Sequence, residues 1–223
     1  MDVVIPAGGK GTRLHSHTSA KPKSMVSVAG IPMLEYLVTY LKKYDLKNFH
    51  ILTGHMSEYI ETELGDGTRF NVNIHYHKEK KALGTAGSVK KIEYLLKDYF
   101  LLVYSDVYIN LDLKRFIDFA SKKGGMGSLV CHPNKHPRDS DLMLLNNTDE
   151  IIKFFPKPHS KFNYYPNMVN AGLSILSPDI LKNLKENTFY DFGKDVYPTV
   201  MADKKKLYGY HTTEYLCDMG TVD

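Results

Sequence analysis

The chain opens with Val3-Val4-Ile5 and runs at once into Pro6-Ala7-Gly8-Gly9-Lys10-Gly11-Thr12-Arg13-Leu14, followed by Lys21-Pro22-Lys23. A short apolar run that ends at Pro and Gly reads as a buried strand, so a strand delivers the backbone into a glycine-rich, basic loop. Glycine has no Cβ to hold backbone N–H groups away from an anion, and Lys10, Arg13, Lys21 and Lys23 supply charge to neutralise phosphate oxygens. The loop reads as a polyphosphate cradle. Two common cradles fail the test of spacing. A dinucleotide fingerprint needs a glycine where Leu14 stands, and a P-loop needs Ser or Thr after Gly9-Lys10, where Gly11 stands.

The rest of the chain alternates strand and helix patterns. Leu34, Leu37, Val38 and Leu41 recur at helical spacing behind Pro32, Phe49 to Thr53 reads as a strand, and Met56, Tyr59, Ile60 and Leu64 form a second helical stripe ending at Gly65. Val72 to His77 alternates as a strand; His75 and His77 share its polar face, where a solvated surface explains them better than a metal. Val89, Ile92 and Leu96 predict a helix behind Leu83-Gly84-Thr85-Ala86-Gly87-Ser88, a helix start with free N–H groups against which a nucleotide can lie. Phe100 to Tyr104 is apolar on both faces, the pattern of a central parallel strand, and Asp106 projects beyond its carboxyl end, where a carboxylate near phosphates suits Mg²⁺. Asp112 is the expected cap of a helix carrying Phe116 and Phe119.

From Gly127 the pattern is less regular. Strands are expected at 127–131, 143–145, 151–155, 168–176, 207–211 and 214–217, with helices at 178–184 and 191–201. The alternation predicts an α/β fold: a Rossmann-like mixed, mainly parallel sheet flanked by helices, with residues 1–223 as one domain. A formal charge of +4 spread along the sequence suits small anions better than nucleic acid. Cys131 and Cys217 have no metal-like spacing, and no apolar run is long enough to span a membrane. With no signal-peptide pattern, the expected setting is cytoplasmic.

Gly8-Gly9-Lys10-Gly11-Thr12-Arg13-Leu14, Thr18, Pro22-Lys23 and Met25 together resemble the signature of the sugar-1-phosphate nucleotidyltransferases. The resemblance implies that a nucleoside triphosphate and a sugar 1-phosphate react directly, with Mg²⁺ as cofactor. Carried over residue by residue, it makes Arg13, Lys23 and Asp106 catalytic, and Ala7, Gly8, Gly9, Lys10, Gly11, Thr12, Glu79, Gly84 and Thr85 nucleotide-binding. Asp106, Lys157, Asn170 and Gly172 contact the sugar, while Asp106 and Asp218 hold the metal. The family's Glu-Lys-Pro segment stands here as Pro156-Lys157-Pro158, and its Asp-x-Gly-Thr as Asp218-Met219-Gly220-Thr221.

The stretch His132-Pro133-Asn134 through Asp139-Ser140-Asp141-Leu142, with Thr213-Glu214-Tyr215, is most similar to the branch that makes guanylylated D-glycero-α-D-manno-heptose. GTP is then the expected donor, and mannose 1-phosphate the nearest competing acceptor. A non-catalytic nucleotide-sugar sensor is the alternative of another class. The branch also implies a fused or associated phosphatase module, with this chain an N-terminal part of a longer protein, and a homo-oligomer is a further expectation.

Overall fold

The computed structural model describes residues 1–9, 21–161 and 163–219. In chain order the elements are β1 (Val3–Pro6), a hairpin of β2 (Ser27–Val28) and β3 (Ile31–Pro32), α1 (Met33–Leu41), β4 (Asn48–Thr53), α2 (Ser57–Leu64) and β5 (Asn73–Lys78). Then come α3 (Gly84–Lys90), β6 (Phe100–Val103), β7 (Val107–Asn110), α4 (Leu113–Lys123), β8 (Gly127–His132), β9 (Leu142–Leu145), β10 (Ile151–Phe155) and β11 (Val169–Leu176). The chain closes with α5 (Tyr197–Ala202), β12 (Leu207–His211) and β13 (Tyr215–Asp218).

β1 lies at the centre, parallel to β4 on one side and β6 on the other, with β5 parallel beyond β4. The second half of the chain joins through β11, antiparallel to β6, β8 and β9, while β12 runs parallel to β8. The result is the mixed sheet expected from the sequence, with apolar layers on both faces. Alternation along each strand feeds the two layers in turn. Val3 and Ile5 pack with Leu37, Leu41 and Phe116 from α1 and α4, whereas Val4 packs on the opposite face with Ala86, Val89, Tyr197 and Val200 from α3 and α5. β6 divides in the same way, Leu101 and Val103 to the first layer and Phe100 and Leu102 to the second. Both faces of these strands are therefore buried, which is why their sequences are continuously apolar.

Asp112 caps α4 as expected, its side chain accepting the Lys114 N–H. Three expectations shift. The helix begun at Gly84 stops at Lys90 and hands over to a 3₁₀ turn at Glu93–Leu95, although Ile92 and Leu96 are still buried. The helix expected at 178–184 is a 3₁₀ turn, Pro178–Leu181. The one expected at 191–201 starts as a π turn, Phe192–Val196, capped by Asp191, before becoming α5.

The sheet forks along β11. At its start, Val169 pairs with Leu142 of β9, and from Leu173 onward the strand pairs with β6. The change of neighbour falls at Gly172, where the register against β8 shifts and φ is +73°. A Cβ at Gly172 would lie 2.9 Å from Val107 Cγ2 and 3.1 Å from Tyr104 Cδ2, so only glycine lets the strand turn this closely past the end of β6.

Candidate active site

Parallel strands β1, β4 and β6 end on the same edge of the sheet, the usual place for ligands in open α/β folds. A cavity of about 440 Å³ opens there, lined among others by Ala7, Gly8, Gly9, Lys23, Glu79, Gly84, Thr85 and Asp106. Every described residue among the expected catalytic and nucleotide-binding positions thus lines one space. Lys10, Gly11, Thr12, Leu14 and Thr18, together with Arg13, lie outside the described residues, as do Gly220 and Thr221.

Lys23 enters on a 3₁₀ turn, Lys23–Met25, and its ammonium donates to the Asp106 carboxylate. The side chains of the pair are 17% and 26% exposed, so the cost of withdrawing both charges from water offsets much of their attraction and the pair is weak evidence for stability. Its significance is chemical: a cation and an anion are held side by side where phosphates would lie. Asp218 reaches the same end of the fold through β13, which pairs with β7 so that Asp218 stands opposite Val107. Met219 N–H then donates to the Asp106 carbonyl oxygen at 2.7 Å. Asp106 lines the cavity and Asp218 stands one step along the neighbouring strand; carboxylates are the ligand type that Mg²⁺ takes, one or two of them, its remaining positions going to substrate oxygens and water.

Glu79 follows β5 and is fixed by its N–H, which donates to Thr53 O at 2.8 Å. Burial raises its carboxyl above the usual range, against a partly offsetting hydrogen bond from the Leu83 backbone. Oε1 is buried with no hydrogen-bond partner among the described residues, as is Oγ of Ser24, another lining residue. A buried acceptor left open costs about 1–3 kcal/mol, so Glu79 is set for a donor that the described residues do not supply. Gly8 keeps this space clear, since a Cβ there would stand 3.5 Å from Glu79 Oε2 and 3.3 Å from Gly54 N.

The start of α3 is partly taken up by the protein itself. Two of its N–H groups, those of Ala86 and Gly87, donate to Tyr190 O at 2.9 and 3.2 Å, and Tyr190 N–H returns a bond to Leu83 O at 2.9 Å, while Gly84 and Thr85 line the cavity. Thr85 Oγ1 donates to Asp191 Oδ2 at 3.0 Å and accepts the Phe192 N–H at 3.0 Å. Cβ atoms at Gly84 and Gly87 would lie 2.4 Å from the carbonyl oxygens of Tyr190 and Thr188. These glycines therefore admit a second strip of backbone, residues 188–192, which forms a wall of the cavity through Phe189 and Asp191.

Lys157, Asn170 and Gly172 do not line that cavity; they gather beside it at the fork in the sheet. Tyr104 N–H donates to Gly172 O at 3.0 Å on one arm, and Asn170 N–H donates to Asp141 O at 2.9 Å on the other. Asp141 also accepts the Lys157 N–H on Oδ1 at 3.0 Å and lies so close to Gly193 that a Cβ there would be 2.3 Å from Oδ2. Burial raises the Asp141 carboxyl above its usual range. Sequence reasoning missed Asp141 and Asp191 as site residues. An acid placed at the very start of an apolar strand, and an Asp-x-Gly before a helix, were the available signals.

His77 finds its partner on the neighbouring strand. His50, buried on β4, lies 3.0 Å from it, Nδ1 to Nε2, and no group of three or more His, Cys, Asp or Glu among the described residues is arranged to hold a metal ion. No helix among the described residues is long and apolar enough to cross a membrane.

Glycine backbone, a cation and a carboxylate gather in one cavity at the carboxyl edge of the parallel strands, which defines an α/β protein with a cleft of the composition that suits phosphates. Residues 2–223 match the family model described as Nucleotidyl transferase, and the chain belongs to that family. It is 27% identical over 225 residues to a mannose-1-phosphate guanylyltransferase of Mycobacterium tuberculosis, covering 100% of this chain and 62% of the relative. It is also 27% identical over 236 residues to a UTP--glucose-1-phosphate uridylyltransferase of Synechocystis, covering 100% of this chain and 61% of that protein. The chain thus spans about three fifths of the length of these curated relatives. Among solved structures, HddC from Yersinia pseudotuberculosis superposes with a TM-score of 0.83 at 25% identity, over 99% of this chain and 94% of the other. A structure described as a glucose-1-phosphate thymidylyltransferase of Bacillus anthracis superposes at 0.88 with 21% identity, over 100% and 91%, which bears on the fold alone.

Proposed function

We propose that the protein transfers a nucleoside monophosphate, GMP from GTP, to a sugar 1-phosphate, D-glycero-α-D-manno-heptose 1-phosphate, and releases pyrophosphate. One observation carries the reading: the Lys23–Asp106 pair and the open carboxylate of Glu79 share a single cavity around Gly8 and Gly9. An oxygen of the sugar phosphate attacks the α-phosphorus in line; the new P–O bond forms as the bond to the β-phosphate breaks. Such a reaction asks for positioning and charge stabilisation, with no covalent intermediate on the protein.

Gly8 and Gly9 let the triphosphate approach the backbone, and Lys23 lies between the two reacting phosphates. Arg13, outside the described residues, is assigned to the departing pyrophosphate. Asp106 and Asp218 are the residues that would hold Mg²⁺, which supplies charge neutralisation at the α-phosphate when bound. Guanine is supported by Glu79: a carboxylate only accepts, and guanine offers it two adjacent donors, N1–H and the N2 amino group, where uracil and thymine offer one. HddC was solved in complex with GMP-PN, in keeping with this choice. The heptose acceptor is supported by the 132–142 stretch and by proline in place of the family's glutamate at Pro156.

Mannose 1-phosphate is the second acceptor to consider, since the M. tuberculosis relative is a guanylyltransferase named for it. The deciding experiment is a matrix of the common nucleoside triphosphates against heptose, mannose and glucose 1-phosphates, scored by pyrophosphate release. Best turnover with GTP and the heptose is expected; best turnover with glucose 1-phosphate and dTTP or UTP overturns the assignment, and none with any pair overturns the enzyme.

A further inference from the structure

We propose that Phe189 is the surface on which the nucleotide base stacks. The side chain is 62% exposed, unusual for a phenylalanine, yet it lines the same cavity as Glu79, Gly8 and Gly9. Its backbone is anything but loose. The following residue, Tyr190, gives one backbone hydrogen bond to Leu83, just before α3, and takes two from α3, and Asp191 and Phe192 both bond to Thr85. The ring itself lies against the edge of the cavity at Gly84, where a Cβ would stand 3.1 Å from its Cζ.

An apolar ring left in water on a fixed backbone forgoes the stabilisation that burial would bring, and the space beside it belongs to a cavity that handles phosphates at its other end. A flat, π-rich ligand part is the one that such a ring accepts, and a nucleobase supplies it. The division of labour follows from the chemistry. Stacking is indifferent to which base is present, whereas the open Glu79 oxygen selects by hydrogen bonding, so the ring contributes affinity and the carboxylate contributes choice. The glycines of Leu83-Gly84-Thr85-Ala86-Gly87 thereby serve the nucleotide indirectly, by admitting the strip of chain that carries the ring.

The inference rests on the reading of the cavity as a nucleotide site and is independent of what accepts the nucleotide. The protein contains no tryptophan, so Phe189→Trp places a single reporter at the site. GTP and GMP should quench its emission on binding, and inorganic tripolyphosphate should leave it unchanged. Phe189→Ala and Phe189→Leu should each weaken GTP binding by about 10-fold in calorimetry, the size of a lost base–aromatic stack, while Phe189→Tyr restores it. Circular dichroism checks that each variant is folded, as substitution of an exposed side chain should allow. GTP that binds F189W in the calorimeter without quenching it, or that binds F189A as tightly as wild type, overturns the stacking role and leaves the nucleotide site standing. Failure of GTP, GMP and the other common triphosphates to bind the wild-type protein overturns both.

Discussion

Met219 donates its backbone N–H to the carbonyl oxygen of Asp106, joining the last described residue of the chain to the turn between β6 and β7. The bond extends the β7–β13 ladder by one step and sets the backbone of Asp218 one residue along from the Asp106 turn. The two carboxylates and a triphosphate would repel one another without a cation between them.

Turnover should therefore require a divalent metal ion and stop in excess chelator. Asp106→Asn should lower kcat by on the order of 10²-fold or more, the scale seen when a group that stabilises transition-state charge is lost. Asparagine keeps a carbonyl acceptor for the Lys23 ammonium, so the fold should hold with only a modest loss of thermal stability. Full activity in chelator, or a D106N protein that melts far below wild type, would contradict these assignments.

Glu79→Gln makes a sharper test of base choice. The amide keeps the shape but offers one acceptor and a donor, so kcat/KM for GTP should fall by about 10²-fold and use of UTP should rise relative to it. Since burial raises the Glu79 carboxyl, wild-type KM for GTP should climb as pH falls through that raised value, an effect absent from E79Q. Kinetics with GTP and UTP between pH 5 and 8 read both effects.

Asp141 is a burdened residue. Its folded carboxyl is raised by burial, so the folded state holds the proton more tightly than the unfolded one, and stability falls as pH rises from the ordinary Asp value up to the raised one, then levels. Asp141→Asn keeps the acceptor for the Lys157 N–H and removes the charge. It should be at least as stable as wild type at pH 7 and lose that advantage toward pH 4, while KM for the sugar phosphate rises and KM for GTP holds. Urea melts at both pH values, with the two KM values, decide it.

The histidine pair behaves in the opposite sense. Burial, then its neighbours His50 and His75, push His77 down to about 4, and burial lowers His50 as well. The unfolded chain takes up protons first, so stability is lost as pH falls from the unfolded value near 6.5 toward 4. With allowance for solvent at the partly exposed His77, the loss should be on the order of 1 kcal/mol. His77→Gln should flatten the slope in denaturant melts at pH 7.5 and 5; an unchanged slope would place the effect elsewhere.

What the sequence disclosed depended on range. The apolar runs of β1, β4 and β6 were legible because each strand is buried on both faces, and Glu79 and Asp106 because they stand just past strand ends. β7 is no shorter than β1 but buries only alternate residues and follows β6 closely, and its pairing with β13 joins residues that no local pattern links. Gly84 and Gly87 were legible as glycines but not as to purpose. A missing Cβ admits a ligand or another stretch of chain equally well, and here Tyr190 and Thr188 occupy the space. Asp141 looked like one more polar residue in a turn-rich segment, since its three contacts come from remote segments.

The change of neighbours along β11 has a consequence for how such a chain can diversify. On one side of Gly172 the strand belongs to β6 and the cavity with its glycines; on the other it belongs to β9, whose hairpin partner β10 leads to Lys157. Asn170 and Gly172 stand where the two arms meet along β11, and β8 pairs with the strand on both sides of them. Under the proposed function, exchanges in the β9–β10 arm would alter which acceptor fits while leaving the glycine-lined cavity as it stands.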